Sequence, residues 1–152
     1  MKNKIFLTVI ILMIITLYGC GKEKKTEPLD SGEGLIIKNP WFRPGALNRN
    51  SALYFEIYNN TDRNDTLYDV KSDLAKVVQI HETYEKGNNM KGMRHVEFVE
   101  IPARSKLEFK PGGFHIMLVG LTKDLKPGDA GEVTLLFKGN GKVRVRAEVS
   151  GK

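Results

Sequence analysis

What most constrains this chain is a repeated pattern of short runs in which apolar and polar residues alternate, each closed by a turn signal. No run of helical periodicity reaches convincing length. Ser51-Ala-Leu-Tyr-Phe-Glu-Ile-Tyr58 shows the pattern best: Leu53, Phe55 and Ile57 fall on one face, with Tyr54, Glu56 and Tyr58 on the other. Leu35-Ile-Ile37 is a short strand ended by Asn39-Pro40-Trp41. Thr66–Val70 puts Leu67 and Asp69 on one side, Tyr68 and Val70 on the other. Lys76–Tyr84 runs into a polar, flexible stretch from Glu85 to Gly92, and Met93–Val99 returns. Lys106–Phe109, Phe114–Val119, Glu132–Phe137 and Val143–Val149 complete the set. Pro111-Gly112 and Pro127-Gly128 mark tight turns, Pro fixing φ at the first central position and Gly supplying φ > 0 at the second. Gly139-Asn-Gly141 reads as a hairpin. About nine short strands, with turns every 8–15 residues or so, predict an all-β fold, an antiparallel sandwich or Greek-key barrel.

The start of the chain is of another kind. Met1-Lys-Asn-Lys4 is positive and Ile5–Tyr18 is almost purely apolar, shorter than the roughly 20 residues a bilayer span needs. That is the build of a secretory signal over residues 1–19, with an uncleaved anchor as the alternative. Leu17-Tyr-Gly-Cys20 resembles a bacterial lipobox, which implies cleavage before Cys20 and a lipid on it. Residues 20–33 then read as a lipidated cysteine and a polar, flexible tether, and 34–152 as one folded domain. Cys20 is the only cysteine, so the folded part has no disulfide, no thiolate ligand and no cysteine nucleophile. Residues 1–19 carry Lys2 and Lys4 and no acid, so a formal charge of +6 becomes +4 without them. Basic and acidic residues are interspersed, with no basic helix or aromatic–basic stripe, which excludes nucleic acid as a partner.

Histidine and methionine are concentrated. Beyond the signal the chain has three of each: His81, His95 and His115, and Met90, Met93 and Met117. Alone, a Met in a strand is usually core filler and a His usually a surface or hydrogen-bonded group. Together they read differently. In a strand, His115 and Met117 share a face, with Cα atoms roughly 6.5–7 Å apart, while Phe114, Ile116 and Leu118 face the core. His81 and Met93 can meet across a hairpin. Two imidazoles and two thioethers form a neutral, soft donor set that favours copper, Cu(I) above all. It is too poor in charge for calcium or magnesium and lacks the thiolates or third histidine of common zinc sites.

The spacing is specific. His81-Glu82, ten residues, Met93, twenty-one residues, then His115-Ile-Met117 resembles the H(M)-x10-M-x21-H-x-M pattern of the PCuAC-type periplasmic copper chaperones. Trp41-Phe-Arg43, Gly92-Met-Arg94, Lys110-Pro-Gly-Gly-Phe-His-Ile-Met-Leu118 and Leu125-Lys-Pro-Gly-Asp129 are also similar to that family, over roughly residues 34–149. The resemblance implies a cupredoxin-like barrel, His81, Met93, His115 and Met117 as Cu(I) ligands, and delivery toward the dinuclear copper site of cytochrome c oxidase. The partner would be an oxidase subunit or an assembly factor. It further implies a lipid-anchored, extracytoplasmic protein on the periplasmic side or at the cell surface. Glu82 stands where some members carry Met. Met90 and His95 are extra donors near Met93: His95, expected on Met93's face, reads either as an auxiliary ligand or as a surface histidine on a hairpin. The ligand shell is expected to be shallow and near a loop end, so that an acceptor can displace one donor at a time.

Two other classes compete. A sandwich-fold adhesion or complex-assembly lipoprotein would use its His and Met structurally and present a partner surface around Trp41 and Tyr54. An enzyme would need an open coordination position and redox cycling, or a Ser/His/Asp set or paired acids, none of which the sequence offers. The expectation is a non-enzymatic copper carrier.

Overall fold

The computed structural model describes residues 34–88 and 90–151. The signal, Cys20 and the tether therefore lie outside the described residues. Ten strands follow one another without a helix among the described residues: β1 (Leu35–Phe42), β2 (Ser51–Asn59), β3 (Asp65–Lys71), β4 (Ala75–Gly87), β5 (Met90–His95), β6 (Val99–Ile101), β7 (Ser105–Phe109), β8 (Phe114–Leu121), β9 (Ala130–Phe137) and β10 (Gly141–Val149). They form one sheet in the order β5-β4-β8-β7-β2-β1-β10-β9-β3-β6. β2 is shared: Phe55–Asn59 pairs with β7, and Ser51–Leu53 pairs with β8. Strands distant in sequence pair within each half (β4 with β8, β3 with β9), and the pairing of β1 with β10 joins the two halves. The sheet coils around one core of Leu53, Phe55, Ile57, Ile80, Ile116 and Leu118 from one half and Leu67, Val133, Leu135 and Val145 from the other. This is a cupredoxin-like Greek-key barrel, the expected class.

Both Pro-Gly turns form as expected. Gly112 has φ 81° and Gly128 φ 92°. Gly113 N–H donates to Lys110 O at 3.0 Å, and Asp129 N–H to Lys126 O at 2.9 Å. These are the i to i+3 bonds of type II turns.

Four expectations need correction. The strand at Leu35 does not stop at Asn39-Pro40. Its register with β2 shifts between Lys38 and Trp41, where Asn39 takes φ 51°. This bulge absorbs the proline, and Trp41 resumes pairing with Tyr54. In β3 a second bulge between Leu67 and Asp69 switches the alternation, so that Leu67 and Val70 are both buried. Residues 85–92 are not a loop. β4 runs to Gly87, the chain turns through Gly87 (φ 86°) and Asn88 (φ 50°), and β5 begins at Met90. The expected strand Met93–Val99 is two strands at opposite edges of the sheet. Between them Val96 N–H donates to Ile80 O at 2.9 Å as the chain leaves for the other half.

Candidate metal centre

The site is built by register. On β8, Ile116 and Leu118 are fully buried and Phe114 packs against the core, so alternation turns His115 and Met117 to the opposite face. β4 pairs with β8 so that His81 lies directly opposite His115, and Gln79 opposite Met117. β5 pairs with β4 so that His95 lies opposite His81, and Met93 opposite Thr83. Residues directly opposite in an antiparallel pair share a face. His81, Met93, His95, His115 and Met117 therefore all stand on one face of three adjacent strands. Met93 stands diagonally to His81 across the hairpin, while the direct partner of His81 is His95.

Met90 does not join them. It lies three residues before Met93, so alternation turns it to the reverse face, at the end of the hairpin. Glu82 also faces away. Its carboxylate takes Arg94 Nη2–H at 2.8 Å and Nε–H at 3.1 Å, which keeps an acid off the ligand face. The donors are borne by strands rather than by loops. The Pro111-Gly112 turn supplies one backbone group.

Imidazole hydrogen bonding defines which nitrogens are free. Gly113 O is an acceptor, so His115 Nδ1–H must donate to it, at 3.1 Å. That leaves the lone pair on Nε2. His81 Nε2–H donates to Gln79 Oε1 at 3.1 Å, and the lone pair falls on Nδ1, a buried atom with no hydrogen-bond partner. An orphaned buried acceptor is uncommon in a folded protein. Metal-ligating histidines have this arrangement: one nitrogen held by an outer hydrogen bond, the other unused. Burial drives both imidazoles below their ordinary pKa. The neighbouring His115 and His95 add to the effect at His81. At His115 the Gly113 carbonyl opposes it and the Arg43 guanidinium reinforces it. Both rings are thereby biased to the neutral form that can bind a metal.

Exposure is graded across the face. His115 is 3% exposed, His81 is half-buried, and Met93 is 60% exposed. Rings centred 5.8 Å apart join His115 to His81, and 6.2 Å separates His81 from His95. Tyr54 lies 6.2 Å from His115 on the other side, and its ring centre is 4.6 Å from that of Trp41, the two planes tilted by 35°. Tyr54 is buried and Trp41 half-buried, so Tyr54 flanks His115 inside the fold while Trp41 reaches the surface beyond it. Among the described residues no three His, Cys, Asp or Glu side chains converge as a metal cluster.

Sequence reasoning missed two supports. Gln79 was legible in principle, being two residues from His81 and so on its face. The Gly113 carbonyl was not, because no residue type marks a backbone acceptor.

The model of the family described as "Putative lipoprotein LpqE-like" matches residues 35–149. An uncharacterized protein of Rickettsia prowazekii is 32% identical over 120 residues, 73% of this chain and 64% of that protein, so the chain spans under two thirds of that relative. Among solved structures, the copper-bound PCuAC domain from PmoF2 is 30% identical with a TM-score of 0.61, over 78% of this chain and 93% of that one. The Cu(I) form of DR1885 from Deinococcus radiodurans, a solution structure, is 27% identical with a TM-score of 0.60, over 80% and 83%.

Proposed function

This chain belongs to the LpqE-like lipoprotein family, of PCuAC type, and on that premise we propose that it is a copper chaperone that carries Cu(I) as cargo on the β5-β4-β8 face. The ligands in this reading are His115 Nε2, His81 Nδ1 and the sulfurs of Met93 and Met117. One observation carries it: β4 sets His81 opposite His115 with each ring's other nitrogen already occupied, on a face that also bears both thioethers. Supporting it, two solved structures of the same fold are described as copper-bound and as a Cu(I) form.

The chemistry suits carriage. Thioethers need no deprotonation and favour Cu(I). The imidazoles are already neutral, so loading requires no proton release from them. The buried His115 retains the ion, while exposed Met93 leaves a side from which an acceptor's ligands can replace it. Copper here is what is moved, and no catalytic step is assigned to it. The finer reading adds that residues 1–19 are a signal, that a lipid on Cys20 and a tether over 20–33 hold the 34–152 domain outside the cytoplasm, and that the acceptor is the dinuclear copper site of cytochrome c oxidase or its assembly factors. This rests on the lipobox-like Leu17–Cys20 and on the resemblance in ligand spacing.

The test is an anaerobic Cu(I) titration against a chromophoric chelator. One copper per chain is expected to be held, with affinity falling by about a hundredfold or more in His115→Ala and about tenfold or more in Met93→Ile. A wild-type chain that cannot compete with the chelator would refute the copper reading.

A further inference from the structure

We propose that His95 forms an outer copper site that shares His81 with the inner one, so that the ion enters and leaves over the exposed β5 edge. The inference deepens the copper reading and rests on it.

His95, His81 and His115 stand in one row across β5, β4 and β8, each directly paired with the next. Their ring centres are 6.2 and 5.8 Å apart, and His81 is in the middle. With metal–nitrogen bonds of about 2 Å, two imidazoles sharing one ion have ring centres roughly 5–6 Å apart. Either flanking ring can therefore close with His81 on an ion after a small rotation. His95 and His115 flank His81 from opposite sides, so an ion held between His81 and one of them lies on the side away from the other. The result is two overlapping sites, one inner (His115, His81) and one outer (His81, His95), with Met93 on the same strand face as His95.

The outer site is the accessible one. β5 is the last strand on its side of the sheet, and His95 is exposed where His115 is buried. His95 also has no structural task. Its ring makes no hydrogen bond or ion pair among the described residues, and its one ring neighbour is His81. An imidazole placed in register with two others, and otherwise unused, fits a handover ligand. In the exchange a bond from copper to His95 forms and the bonds to His115 and Met117 on β8 break, while His81 and Met93 stay attached. No electron moves and the ion remains Cu(I).

The test measures rate against affinity in the full chain loaded anaerobically with one Cu(I). Transfer to excess chromophoric chelator is followed by stopped flow. His95→Gln is expected to leave the equilibrium affinity unchanged and to slow transfer by about tenfold or more. His95→Met, which restores a soft donor at the same place, is expected to recover the rate. Transfer at the wild-type rate in His95→Gln would overturn the proposal, as would no recovery in His95→Met. An affinity loss like that of His115→Ala would also overturn it, by making His95 a resident ligand. A wild-type chain that takes up no Cu(I) would refute the copper reading itself, and that result is read before any variant is compared.

Discussion

An imidazole that binds a metal through one nitrogen must dispose of the other, and at the residue scale this is where the site is most fully specified. Gly113 O fixes His115 and Gln79 fixes His81, each through the nitrogen that the copper reading leaves unused. The same burial that orients the rings makes charging them costly: both are held below the ordinary 6.5. The consequence for stability has a definite sign. Above pH about 6.5 neither the folded nor the unfolded chain protonates these rings, and the site costs nothing. As the pH falls below that value the unfolded chain takes up protons that the folded one refuses, so stability declines until the lowered folded-state pKa values are passed. The metal-free protein should therefore lose melting temperature between pH 6.5 and mild acid, and His115→Gln should lose less over the same interval. A melting temperature that rises on acidification over this range would contradict the assignment of neutral, buried rings.

At the scale of the element, the β4–β5 hairpin has a ligand face and a clamp face. His81, Met93 and His95 occupy the first. On the second, Glu82 pairs with Arg94, and the Arg94 guanidinium lies over the Tyr84 ring at 5.3 Å. Tyr84 in turn covers Gly92, its cross-strand partner, so closely that a Cβ there would lie 2.8 Å from the ring. The exposed ion pair is worth about 1 kcal/mol or less, and the cation–π contact is of similar size. The clamp matters less for global stability than for holding Met93 and His95 in register with His81. Gly92→Ala forces the ring aside. It should speed amide exchange in β5 well beyond its effect on the rest of the sheet, with a melting-point loss of only a few degrees. Unchanged β5 exchange would show that Tyr84 does not hold the hairpin. This element was also the least legible in the sequence. Apart from the exposed Met90, Glu85–Gly92 has no apolar side chain, because the tip of an edge hairpin with little core contact needs none, and composition alone made it a loop.

At the scale of the whole molecule, the barrel divides the work of β8 between its two faces: Ile116 and Leu118 fix the strand in the core, and that fixes where His115 and Met117 point. Alternation within β8 was therefore readable from the sequence, as were both Pro-Gly turns and the all-β class. Three things were not. The pairing of His81 with His115 joins residues far apart in the chain, and its register is set by which core residues of β4 and β8 interlock rather than by anything local. The bulges at Lys38–Trp41 and Leu67–Asp69 shift the alternation by amounts that no residue type announces. The strand pair β5 and β6 parts because Val96 is drawn to the core beside Ile80, a tertiary choice. The ligand set itself was approached through spacing and resemblance; in the fold the residues between His81 and Met93 form the β4–β5 hairpin, and those between Met93 and His115 carry β6 and β7 before β8 returns. The most direct test of the account is copper K-edge X-ray absorption of the Cu(I)-loaded full chain. The account predicts a mixed shell of nitrogen and sulfur scatterers, with sulfur amplitude reduced in both Met93→Ile and Met117→Ile. A shell of nitrogen and oxygen alone, unchanged by either substitution, would contradict it.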